Sequence, residues 1–97
     1  MKSTQTLVTS SNSPLTIPLN PRGGVTAIGA TPAGAGNYTV TFAIAPVQEG
    51  VTLNPFVIAS MTTATTAQSE EIGPASAIIV TLNSGTSVTI DLAQADI

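Results

Sequence analysis

The sequence predicts an all-β protein, a single small β-sandwich or jelly roll of six to eight short antiparallel strands with very little helix. Three observations carry this. Residues 37–45 place Tyr38, Val40, Phe42 and Ile44 on one parity and Thr39, Thr41 and Ala43 on the other, and a period of two sorts side chains onto the two faces of a strand. Eight glycines and seven prolines cut the chain into short β-rich runs separated by turn signals. No segment has a convincing helical period, which leaves sheets packed on sheets as the available architecture.

The elements follow in order. Leu15, Ile17 and Leu19 alternate with Thr16 and Pro18, a strand whose internal proline suits only an edge or an end. Residues 20–24 (Asn-Pro-Arg-Gly-Gly) form a turn, and a strand starts at Val25 and is expected to break at Thr31-Pro32. After the strand at 37–45, Pro46 and Gln48-Glu49-Gly50 mark another turn. Residues 56–61 (Phe-Val-Ile-Ala-Ser-Met) are a nearly continuous apolar run, expected as a central strand covered on both faces. The tract 62–69 is Thr-rich and reads as an extended loop, or a short extra strand, because threonine restricts χ1 in a helix. Residues 76–82 and 87–92 then read as the two arms of a hairpin closed by Asn83-Ser84-Gly85-Thr86. On these arms Ile78, Val80 and Leu82 share a core with Val88, Ile90 and Leu92, while Ile79 falls on the other face.

A chain of 97 residues supports one domain that buries roughly 60–65% of its unfolded surface; residues 1–12 are expected as an extended N-terminal arm. Without cysteine there is no disulfide or thiolate site to reinforce it. Two basic residues, Lys2 and Arg22, stand against five acidic ones, a net charge of −3, which argues against a phosphate-neutralising surface and so against nucleic acid as a partner. Mean hydropathy is +0.39, yet no apolar run approaches the ~20 residues of a membrane-spanning helix, so no membrane is expected. The first dozen residues contain no apolar core of a secretory signal, and the expectation is synthesis in the cytoplasm. Seven percent charged residues is little for a free monomer, because charge keeps small domains dispersed; the working state is expected to be a homo-oligomer or larger assembly.

Catalytic constellations are scarce. There is no histidine, so a Ser-His-Asp triad is ruled out, and no Gly-x-Ser-x-Gly elbow. Glu70 and Glu71 are adjacent and would diverge along an extended chain rather than face each other across a cleft, and they read as a solvated loop pair. Asp91, on the outward parity of the last strand, reads as a solubilising residue that discourages edge pairing. No catalytic residue, metal site or cofactor is expected. Arg22 reads either as a turn residue in solvent or as a bidentate partner for a neighbour's carboxylate.

Residues 15–24 (Leu-Thr-Ile-Pro-Leu-Asn-Pro-Arg-Gly-Gly), 36–46 (Gly-Asn-Tyr-Thr-Val-Thr-Phe-Ala-Ile-Ala-Pro) and 73–92, which run from Gly-Pro-Ala-Ser to Thr-Ile-Asp-Leu, resemble the small Thr/Gly-rich accessory virion proteins of tailed bacteriophages. The resemblance lies in strand texture and order. It implies a capsid decoration (cement) protein, a trimer bound to the major capsid protein on the outer surface of the virion. The residues expected to supply contacts, either among decoration subunits or onto the shell, are Lys2, Arg22, Thr62, Thr63, Thr65, Thr66, Glu70 and Glu71, drawn from the N-terminal segment, the turn at 20–24 and the tract at 62–71. A tail- or fibre-associated module that binds a host glycan or protein is the alternative on the same fold.

Overall fold

A computed structural model of the chain describes residues 2–9, 14–20, 24–45, 50 and 52–94, with Lys2 described by its backbone alone. Eight strands run in chain order: β1 (Lys2–Val8), β2 (Leu15–Pro18), β3 (Thr26–Ala33), β4 (Asn37–Ala43), β5 (Phe56–Val57), β6 (Gln68–Ile72), β7 (Ala77–Ser84) and β8 (Ser87–Gln94). They form two four-stranded sheets, β1-β8-β3-β6 and β2-β7-β4-β5, and every pairing is antiparallel. The pairs β1·β8, β2·β7, β3·β6 and β4·β5 are those of one long folded hairpin. Winding that hairpin brings β8 beside β3 and β7 beside β4, which makes the sandwich a jelly roll.

Alternation along the strands builds the core. Ile28 and Ala30 of β3 and Val88, Ile90 and Leu92 of β8 point inward from the first sheet, and Tyr38 and Val40 of β4 and Ile78, Val80 and Leu82 of β7 meet them from the second. Each such aliphatic side chain contributes about 1.5–3 kcal/mol when withdrawn fully from water, and this layer supplies most of the driving force.

The hairpin expected at 76–92 is not one. β7 and β8 lie in different sheets, and residues 85–86 carry the chain across the sandwich. Both arms present a continuous apolar face, and placing them in opposite sheets buries each face against the other, which side-by-side pairing would not do. A second crossing, at 34–36 between β3 and β4, nests against the first. A Cβ on Gly36 (φ 137°) would fall on the Ser84 carbonyl oxygen and lie 2.6 Å from Gly85 Cα, and one on Gly85 (φ 103°) would lie 2.5 Å from the Ala35 oxygen. Both positions therefore demand glycine, for space and for their positive φ.

Other expectations are corrected on physical grounds. β3 continues through Pro32 to Ala33 instead of breaking, because β6 pairs only as far as Ala30 and the proline borders an unpaired side, with Val88 on the other. The apolar run at 56–61 is not a central strand: Phe56–Val57 is a two-residue edge strand, and the chain then bends so that Ile58 and, through the 3-10 turn Ala59–Met61, Met61 enter the core. Ile44 lies beyond the end of β4 and is exposed, while Ala43 is buried. Lys2–Val8, expected as part of an arm, is an edge strand paired along its length with β8; residues 1 and 10–12 of that segment and the turn at 21–23 lie outside the described residues. Consequently Asp91 sits on a strand flanked on both sides rather than at an edge.

Alanine at Gly36 or Gly85 is expected to lower unfolding free energy by about 2 kcal/mol or more, from backbone strain and overlap together. Alanine at Gly24, which also has positive φ but has nothing within reach of a Cβ, should cost less. Chemical denaturation of the three variants checks the order.

Candidate functional site

The described residues among those singled out as contacts fall at or beside two opposite edges of the first sheet. Lys2 is on β1, while Glu70 and Glu71 are on β6, with β8 and β3 between them, a span of about 14 Å at the usual strand spacing. Thr62, Thr63, Thr65 and Thr66 lie in the connection leading into β6 and are all exposed. Arg22 lies outside the described residues. The structure thus brings the threonines and glutamates to one side of the sandwich and leaves Lys2 on the other.

The Thr-rich tract is a tethered connection. Tyr38 and Ala64 exchange backbone hydrogen bonds of 3.0 and 2.8 Å, and the Tyr38 hydroxyl donates to the Thr66 carbonyl at 2.7 Å. Thr39 Oγ1 accepts from the Thr63 backbone N–H and from Asn83 Nδ2, each at 3.0 Å. Thr63 is held at φ 47°, a strained conformation for a β-branched residue. The Thr62 hydroxyl donates back to the Ile58 carbonyl at 3.0 Å and the Thr63 hydroxyl to the Thr62 carbonyl at 2.8 Å, while Thr66 Oγ1 accepts from Gln68 Nε2 at 3.0 Å. Together with buried Ile58, Met61 and Ala64, these bonds close the β5–β6 side of the sandwich.

Glu70 and Glu71 lie on a strand, not in a loop, and alternate: Glu70 is opposite Ile28 and Glu71 opposite Ala27. Ser60 Oγ donates to Glu70 Oε1 at 2.8 Å. Among the described residues the geometry offers no facing pair of carboxylates. Asp91 is exposed and accepts a hydrogen bond from Gln5 Nε2 at 2.8 Å.

The opposite side of the sandwich, between β1 and β2, opens into a cleft of about 410 Å³ lined by Thr4, Thr6, Ile17, Leu19, Leu92 and Gln94, among others. At its end, Gln94 acts as a buried clamp. Its Nε2 donates to the Asn20 carbonyl and to Thr26 Oγ1, both at 2.9 Å, and its Oε1 accepts from the Asn20 backbone N–H at 3.1 Å. This clamp was legible only as parity: position 94 continues the inward series 88, 90, 92, where an amide must find partners.

Charge is divided between the sheets. Among the described residues, all charged ones lie on the sheet β1-β8-β3-β6: Lys2, Glu70, Glu71 and Asp91. The strands β2, β7, β4 and β5 carry none. Across the outer face of that second sheet runs a neutral row, Thr16, Ile79, Thr41 and Val57, set by register. Ile79 is half-buried there and Val57 is 69% exposed. Phe56, on the core side of the same edge, stacks on Phe42 with centroids 5.5 Å apart.

These features define an eight-stranded jelly-roll sandwich with one charged and one neutral sheet. No protein-family model and no curated protein sequence matches the chain. Among solved structures, it is similar to a chain from the Bacillus endospore appendages that form a novel family of disulfide-linked pili, with a TM-score of 0.56 and 13% identity over 98% of this chain and 87% of that one. The likeness is one of fold; this chain has no cysteine with which to form a disulfide.

Tyr38 provides a test of how the tract is held. Burial raises its phenol above the ordinary value of 10.0, because the phenolate would be poorly solvated. The folded state therefore disfavours ionisation. The resulting stabilisation is complete below the unfolded pKa and is lost as pH rises through the folded one. The chain has one tyrosine, so near-ultraviolet absorbance should show a phenol titrating later in the folded than in the unfolded protein. Tyr38→Phe should remove this contribution to alkaline destabilisation and cost about 1 kcal/mol at neutral pH.

Proposed function

We propose that this chain is a structural protein of a tailed-phage virion, a capsid decoration (cement) protein that binds the outer surface of the shell as a homo-oligomer, a trimer at the sites where major capsid subunits meet. The observation that carries this reading is the partition of charge. A sheet with no charged residue on any strand can be pressed against a neighbour at low desolvation cost, whereas buried charge would need a partner for each group. The charged sheet then faces solvent and keeps the particle dispersed. Such a role needs a rigid body and complementary surfaces, which a jelly roll provides, and an oligomer adds avidity because several weak footprints act as one. The pilus chain of similar fold supports the coarser part of the proposal, a structural subunit; the step from subunit to capsid cement rests on the sequence resemblance. On this reading the protein is made in the host cytoplasm and needs no cofactor.

A tail- or fibre-associated module that binds a host glycan or protein is the second reading, and the cleft between β1 and β2 favours it, since hydroxyl and apolar groups line it together. The aromatic rings usual in sugar sites are not there: Tyr38 is buried, and Phe42 and Phe56 pair near the opposite edge.

Glutamate at Thr16 or Val57, on the neutral outer face, should leave the fold intact by circular dichroism and abolish co-sedimentation with phage shells that lack the protein. Glutamate at the exposed Thr31 of the charged sheet should be tolerated. Retention unchanged by Thr16→Glu and Val57→Glu, or binding of the unmodified protein to host cells but not to shells, would refute the cement reading.

A further inference from the structure

Each sheet of the sandwich has two edges, and three of the four are guarded by recognisable devices. β2 contains Pro18 and follows Pro14, β5 is two residues long, and β6 carries Glu70 and Glu71. β1 has none of these: it is seven residues without proline or an acid, and among the described residues it pairs on one side only, with β8. An edge of that length, with a charge only at its first residue, is a template for another strand. It also carries Lys2, the only basic residue on any described strand.

We propose that copies of this chain associate head to tail, β1 of one copy adding to β6 of the next, so that the charged sheet continues from molecule to molecule. Strand direction favours the contact. β1, β8, β3 and β6 alternate in direction across the sheet, so β6 of a following copy in the same orientation meets β1 antiparallel. Face parity narrows the register. Thr4 lies opposite Leu92, and both Leu92 and Glu70 lie opposite Ile28, so Thr4 and Glu70 belong to the same face. Two registers of that parity use all of β6, and the one that brings Lys2 nearer to Glu70 sets Thr6 against Gln68, Thr4 against Glu70 and Ser3 against Glu71 of the next copy, with position 2 diagonal to position 70.

Charge distinguishes this pairing from the alternatives. A basic edge meets an acidic one, whereas β6 against β6 would oppose glutamates across a two-fold axis, a destabilising arrangement. β1 against β1 would bring no opposite charges together and would leave both acidic edges unused. A head-to-tail contact closes into a ring or continues as a filament, according to the rotation between copies. The inference deepens the homo-oligomer part of the function proposed above. Because it concerns the isolated protein, its failure is distinct from a failure to bind shells.

Light scattering coupled to size-exclusion chromatography, over a range of concentration and salt, tests it on the full chain. The unmodified protein should form trimers or longer assemblies that weaken as salt rises. Thr4→Glu and Glu70→Lys should each weaken association by about tenfold or more, since the first sets a glutamate against Glu70 and the second replaces the acid by a lysine diagonal to Lys2. The double variant should recover association, because position 4 of one copy then meets an opposite charge at position 70 of the next. Ser3→Glu, which sets a glutamate against Glu71, and its rescue by Glu71→Lys serve instead should a variant of the first pair lose its β circular dichroism. A protein that stays monomeric at every concentration would overturn the proposal, as would assembly indifferent to the single changes, dimers that survive Glu70→Lys, or a double variant no better than the singles.

Discussion

The apolar faces of β7 and β8 must both be buried, and the rest of the structure follows from their being buried against each other. Ile78, Val80 and Leu82 come from one sheet and Val88, Ile90 and Leu92 from the other, all of them largely withdrawn from solvent. Two strands consecutive in sequence therefore cannot pair, and the chain must cross the sandwich within residues 85–86. That crossing fits only because the β3–β4 crossing passes beside it as Ala35-Gly36. Once β7 and β8 are apart, each needs partners within its own sheet: β2 and β4 for one, β1 and β3 for the other.

The functional reading draws on what this arrangement leaves outside. A core supplied by alternate residues frees the outward parity, and here that parity is mostly threonine, serine, alanine and glycine, with its acids on one sheet alone. No buried side-chain polar atom among the described residues lacks a hydrogen-bond partner. The buried groups Gln94, Thr26 and Tyr38 are occupied in joining strands and connections. What remains to act on other molecules is surface: a neutral sheet face, an open cleft at one side and strand edges of opposite charge.

Much of the fold was legible in the sequence because alternation is local. The parity of Tyr38 and Val40, the peripheral place of Leu15–Pro18 with its proline, and the shared core of residues 78–82 and 88–92 all follow from side chains two residues apart. Sheet membership is not local, and this is where the sequence reading failed. Asn83-Ser84-Gly85-Thr86 suits a hairpin loop as well as a crossing, and only the need to bury both arms separates the two. Pro32 reads as a breaker until β6 is seen to stop at Ala30. Residues 56–61 read as a covered strand because composition does not show that Ile58 and Met61 enter the core around a bend. Of the contact residues, Glu70 and Glu71 were legible as a diverging pair. Their place on an edge depended on pairing with β3 across about forty residues of chain, a relation that no local pattern carries.

The division of β7 and β8 between sheets is most directly tested by interstrand backbone contacts in nuclear Overhauser spectra of the isolated protein. Contacts linking Val80 with Val40 and Leu92 with Ile28, with none linking Leu82 to Ser87 or Val80 to Thr89, are the predicted result. A continuous ladder of contacts between residues 76–82 and 87–92 would show a hairpin, and would contradict both the jelly roll and the surfaces derived from it.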